Sequence, residues 1–105
     1  MTDKIVAFST CGSAEEAGRI ARGLVESRAA ACVNIVPGLE SVYRWKGNVE
    51  EAREWLLVIK TTRDRFELVR NRLRELHSYE LPELVALPVV DGLEPYLDWI
   101  SSSVE

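Results

Sequence analysis

Apolar and polar positions follow two rhythms along this chain. Residues 4–10, KIVAFST, form a short apolar run that closes on small polar residues, which predicts a buried strand. Ser13-Ala14-Glu15-Glu16 has the spacing of a capping box. The Ser13 hydroxyl can accept an orphan N–H, and Glu16 can reach back. Ala17, Ile20, Ala21, Leu24 and Val25 then recur at i, i+3, i+4, i+7 and i+8, one apolar helix face that should fade near Ser27 or Arg28. Residues 31–45, ACVNIVPGLESVYRW, carry β-branched and aromatic side chains and predict a long strand. Pro37-Gly38 interrupts it, and a proline without an N–H places a bulge or bend there. Lys46-Gly47-Asn48 supplies a turn, with Gly47 and Asn48 suited to positive φ, and residues 50–62 return as a strand. A second helix is expected from Thr62–Asp64 to about Leu76, with Phe66, Val69, Leu73 and Leu76 on its apolar face. ELVALPVV, residues 83–90, predicts a fourth strand, and Asp91-Gly92 a turn. Pro95 suits a first helical turn, and Leu93, Leu97, Ile100 and Val104 suggest a short C-terminal helix.

The order β-α-β-β-α-β-α is that of an α+β, ferredoxin-like split βαβ sandwich with a long protruding β-hairpin. Right-handed crossovers then send strands one and two in one direction and strands three and four in the other. A single domain over residues 1–105 is expected, since no linker or repeat divides the chain. Two helices cover one face of such a sheet, and the other face should then alternate towards polar residues. It does not. Trp55, Leu57 and Ile59 are apolar on one parity, Leu56 and Val58 on the other. Either another copy of the chain covers the second face, or the third helix fills it. An obligate oligomer is the expectation, with the hairpin as an arm towards its neighbours.

Charge and cysteines narrow the function classes. The formal net charge is −4 and no Lys/Arg stripe stands out, which argues against nucleic acid. No apolar run is long enough to span a membrane, and no secretory leader is visible. Cys11 and Cys32 form neither a CxxC nor a zinc-finger spacing. A reducing, cytoplasmic location is expected.

One histidine, His77 in LHSYELPEL, is the residue that could give the chain a chemistry. It is a metal ligand, an acid/base, or a donor capping the end of the second helix. Topology brings Cys11, at the end of strand one, to the same end of the sheet as the His77–Glu83 segment. Imidazole and thiolate together suit Cu or Zn, although two ligands do not make a structural zinc site. Cys11 near a helix N-terminus would have a lowered pKa, or would be a small buried residue. Glu83 is a ligand or an interfacial salt-bridge partner. Cys32 is expected in the core. Tyr43, Trp45, Lys60 and Tyr79 are candidates for a ligand or interface cleft. Lys60 could meet an anion, but no Gly-rich cradle lies beside it. One histidine without a paired nucleophile gives no catalytic constellation, and no enzyme is expected.

AACVNIVPGLESVYRWKGNVEE, LLVIKTT, LHSYELPELVALPV and YLDWI together resemble the CutA divalent-cation-tolerance family, over nearly the whole chain. The resemblance implies a homotrimer with paired hairpins, similar in architecture to the PII signalling proteins. It implies a role in tolerance to copper and other divalent metals, with weak binding of Cu or another divalent metal and no organic cofactor. Where relatives carry copper ligands, they lie on the first strand and at the histidine before the last strand, which His77 matches. The first-strand cysteine position falls on Ser9, with Cys11 two residues later, and Leu76 stands where some members carry a second histidine. The alternatives are a PII-like trimer binding a small ligand or anion between subunits, and a structural interaction scaffold.

Overall fold

A four-stranded antiparallel sheet in the order β2-β3-β1-β4 frames the computed structural model, which describes all 105 residues. The elements are β1 (Lys4–Cys11), α1 (Ala14–Glu26), β2 (Cys32–Trp45), β3 (Asn48–Thr62), α2 (Phe66–Leu76) after a 3-10 turn at Arg63–Arg65, β4 (Val85–Pro88) and α3 (Glu94–Val104). This is the expected ferredoxin-like α+β fold, with β1 and β2 parallel to each other and opposed to β3 and β4.

Strand alternation sorts the two faces. Ala7 pairs with Ile59, and Ser9 with Leu57. Ala7, Cys11, Leu57 and Ile59 join Ile20 and Leu24 of α1 and Val69 and Leu73 of α2 in one buried cluster. Each fully buried Leu or Ile in it contributes roughly 1.5–3 kcal/mol. Leu76 packs on Gly23 of α1, where an added Cβ would stand 2.7 Å from a Leu76 methyl. Leu76 is therefore a helix–helix contact.

The opposite parity carries Val6, Phe8, Leu56 and Val58. α3 covers part of this second face, burying Ile100 and Val104 against Ala31 and bringing the Tyr96 hydroxyl to 3.5 Å from Lys60 Nζ. Its cover stops short of the edges: Val36 is 43%, Val85 52% and Leu87 53% exposed. The third helix alone does not account for the apolar surplus. Beyond the Cys11–Trp55 pair, β3 has no partner in β1, so β2 and β3 continue as a two-stranded arm. The molecule accordingly measures 44 × 25 × 23 Å.

Several local expectations shift. The arm bulges between Val36 and Leu39, as proline-glycine predicts, with Gly38 at φ 80°. The hairpin turn sits at Lys46-Gly47, both at positive φ, rather than at Gly47-Asn48. Asn48 pairs with Trp45, and a two-residue turn between paired strands needs both central residues left-handed. β4 is shorter than residues 83–90, because Pro88 donates no ladder bond. Val89 N–H still reaches the Lys4 carbonyl at 3.0 Å. Half of the capping box forms: Ser13 Oγ accepts from Glu16 N–H at 3.1 Å, but the Glu16 carboxylate turns elsewhere.

Candidate functional site

The segment between α2 and β4 is clasped over the end of β1. His77 terminates α2, its backbone N–H donating to the Leu73 carbonyl at 2.9 Å. Its side chain, 0% exposed, leaves the helix end. Nε2 lies 2.7 Å from the Thr10 carbonyl oxygen, which can only accept, so Nε2 carries the proton. Nδ1 accepts the Tyr79 N–H at 3.1 Å. The imidazole is therefore the neutral Nε2–H tautomer with both nitrogens engaged. The ring packs at the end of α2 without capping its carbonyls: Arg19 of α1 supplies that donor, Nη2 reaching the Leu76 carbonyl at 2.9 Å.

Glu16 closes the inner side. Its Oε2 accepts the Ser78 N–H at 2.7 Å, 3.6 Å from His77 Nδ1 and 3.7 Å from Arg19 Nη2. Burial pushes this carboxyl up, but the Ser78 hydrogen bonds and the adjacent His77 ring outweigh it and hold the group below its ordinary value. On the outer side the Tyr79 hydroxyl donates to Glu54 Oε2 of β3 at 2.8 Å. Burial first, then the hydrogen bond to Glu54, push the Tyr79 phenol well above its usual range. Gly12 leaves room for that hydroxyl, since a Cβ there would stand 3.2 Å from it. Burial and the charge of Glu54 raise the Glu83 carboxyl, against the Thr10 hydroxyl, which favours its ionised form.

His77, Tyr79, Glu83 and Cys11 thus gather at one end of the sheet. Cys11 is fully buried, its Sγ 3.7 Å from the Ser13 carbonyl. Burial raises its thiol pKa, with Glu16 and Glu54 adding to the effect. Of the two readings, the small buried residue holds and the lowered pKa does not, because desolvation of the thiolate outweighs its place before a helix. Tyr43 and Trp45 lie on the arm, paired with Glu50 and Asn48; Tyr43 is still near enough to add to the burial-driven rise of the Tyr79 phenol, and Lys46 Nζ sits 5.6 Å from the Trp45 ring centre. Lys60, in register with Cys32, lies towards the other end of the sheet, its ammonium 5.7 Å from the Tyr96 ring centre. Cys32 is partly exposed rather than core, because its parity points to the second face; both cysteines are free. Glu16, expected near this end from its place at the start of α1, is part of the site, whereas Glu54, Thr10 and Arg19 were not anticipated there. The signal for Glu54 was a carboxylate directly before the apolar run WLLVIK. No group of three or more His, Cys, Asp and Glu side chains within the chain is placed to hold a metal.

The family model described as CutA1 divalent ion tolerance protein matches residues 5–103. The chain belongs to the CutA1 family. It is 53% identical to the divalent-cation tolerance protein CutA of Thermus thermophilus over 95 residues, which cover 90% of this chain and 92% of that protein. It is 44% identical to protein CutA of Homo sapiens over 99 residues, 94% of this chain but 55% of that protein. The chain thus spans about half the length of that human CutA relative. Among solved CutA structures, that of Xylella fastidiosa superposes with a TM-score of 0.96 at 42% identity, covering 99% of this chain and 100% of that one. The periplasmic divalent cation tolerance protein CutA of Archaeoglobus fulgidus gives 0.94 at 41% identity, with 97% and 99% covered. No helix of this CutA1 family member is long and apolar enough to cross a membrane.

Proposed function

We propose that this chain serves divalent-cation tolerance as a cytoplasmic homotrimer that takes up a divalent cation weakly at the Glu54 and Glu83 carboxylates, and that it is not an enzyme. The observation that carries the reading is the pair itself. Glu54 accepts the Tyr79 hydroxyl at 2.8 Å beside the Cys11–Trp55 pair that ends β1, and at that same end burial, followed by the charge of Glu54, raises the Glu83 carboxyl. A divalent cation relieves that repulsion.

In this reading His77 and Cys11 are not ligands. The imidazole has no free lone pair, and the thiol is buried and protonated. With oxygen donors left, the affinity order favours Cu(II) over Zn(II) and Mn(II), without preference for soft Cu(I). Two carboxylates need completion by water or a second subunit. The half-exposed apolar positions Val36, Val85 and Leu87 give that subunit a surface to bury.

Equilibrium dialysis with Cu(II), Zn(II) and Mn(II) tests the site. Glu83→Gln should lose most of the uptake and His77→Gln little. Equal uptake by wild type and Glu83→Gln refutes the site. Sedimentation equilibrium should give three times the 11.8 kDa chain mass, and a monomer at micromolar concentration refutes the assembly.

A further inference from the structure

The geometry points to a proton-operated clasp: protonation of His77 exchanges its Nδ1 partner from the Tyr79 amide to the Glu16 carboxylate and loosens the segment Ser78–Glu83 from β3. The inference stands on the hydrogen-bond pattern around one ring and does not depend on metal binding.

The neutral ring holds two things that a protonated ring cannot hold together. Nε2–H donates to the Thr10 carbonyl in either state, so β1 keeps its bond. Nδ1 accepts the Tyr79 N–H only while it carries no proton. Once protonated it becomes a second donor facing the Tyr79 N–H, and two donors repel. An acceptor is already in place: Glu16 Oε2, 3.6 Å away, on a carboxyl that burial pushes up but the Ser78 hydrogen bonds hold below its ordinary value. A small ring rotation turns that approach into an ion pair. Imidazole is the side chain in this cluster that turns from one N–H donor and one acceptor into two donors by taking up a proton.

The charged surroundings decide which way the exchange runs. From α1 the ring faces Glu16, with Arg19 behind it at 3.7 Å and committed to the Leu76 carbonyl at 2.9 Å. From β1 come the Thr10 carbonyl and the buried Cys11 thiol. From its own segment comes Tyr79, and from β3 comes Glu54, reached through the Tyr79 hydroxyl; Glu83 acts on Glu54 and Thr10 rather than on the ring. The nearest ionised group is Glu16, so a positive ring is accommodated and the lost partner is the Tyr79 amide. Tyr79 is also the residue whose hydroxyl anchors the segment to Glu54. Displacing its backbone therefore loosens both ends of the clasp.

His77 is the only histidine, so its ring signals need no assignment by mutation. Full-length, isotopically labelled protein should show the Nε2–H tautomer by ring nitrogen shifts at about pH 7.5. In an acid titration the Tyr79 amide should shift together with the ring nitrogens, and once these report the imidazolium, hydrogen-exchange protection at Tyr79, corrected for intrinsic rate, should fall roughly five- to tenfold. His77→Gln keeps a donor for Thr10 but cannot titrate, and should lose this response. An Nδ1–H tautomer, a Tyr79 amide unmoved while the ring protonates, or the same acid response in His77→Gln would each overturn the proposal.

Discussion

Tyr79→Phe removes one oxygen and tests the outer half of the clasp. The lost contact is an O–H donated to Glu54 Oε2 at 2.8 Å. A hydrogen bond to a charged acceptor contributes roughly 1.5–3 kcal/mol. Two features pull against each other. Glu54 is only 6% exposed, so an orphaned carboxylate oxygen finds little water. Tyr79 is 37% exposed, so solvent can partly replace its hydroxyl. The lower part of the range, about 1.5–2 kcal/mol, is expected. With a urea dependence of roughly 1–2 kcal/mol per molar for a domain of this size, the midpoint should fall by roughly 1 M at fixed protein concentration. A pH signature separates this from loss of packing. The native phenol titrates above the ordinary value of 10.0, so the fold favours the neutral form. That contribution is fully present below pH 10.0 and is lost as pH rises from there towards the native value. Wild type should therefore lose stability above pH 10.0 more steeply than Tyr79→Phe. A midpoint unchanged within about 0.2 M, or parallel alkaline slopes, would refute the reasoning.

Glu83 has the same sign at the acid end. Its native carboxyl lies above the ordinary 4.5, so the stability it adds is present below that pH and lost as pH rises. Glu83→Gln should raise the melting temperature at pH 7 without added metal, with the gain fading in acid; a decrease at pH 7 would contradict the raised value. Cys11 is fully buried with a raised thiol pKa and should react with a thiol reagent only on unfolding, so rapid native labelling at Cys11 would show the strand end to be open. Leu57→Ala empties a fully buried site between β3 and the helices and should cost roughly 3–4 kcal/mol in urea denaturation, with a loss under about 1.5 kcal/mol showing that the core collapses around it.

The elements were legible because their periods are unambiguous. Ala17, Ile20 and Leu24 mark α1 at helical spacing, and all three are fully buried. The Pro37-Gly38 interruption located the bulge from one missing N–H. The site was legible only as a neighbourhood. Topology placed Cys11 and His77 at one end of the sheet, but which ring nitrogen carries the proton depends on a carbonyl 67 positions away. Glu16 looked like a cap partner because sequence spacing cannot show that Ser78 N–H competes for the same carboxylate. The two readings of Cys11 stayed open in the sequence for a related reason. A helix N-terminus is visible in sequence, whereas complete burial is a property of the assembled core.

The same separations bear on the order in which the chain assembles. The arm closes through Lys46-Gly47 and zips neighbour by neighbour from Trp45–Asn48. The clasp joins residues 67, 62 and 25 positions apart. Its closure entropy can be recovered only after β1, α1 and β3 are in place. It is therefore expected to lock late, on the native side of the folding barrier. Substitutions at Tyr79 should then steepen unfolding and leave the refolding rate nearly unchanged in a chevron analysis. A matching slowdown in refolding would place the clasp in the nucleus instead.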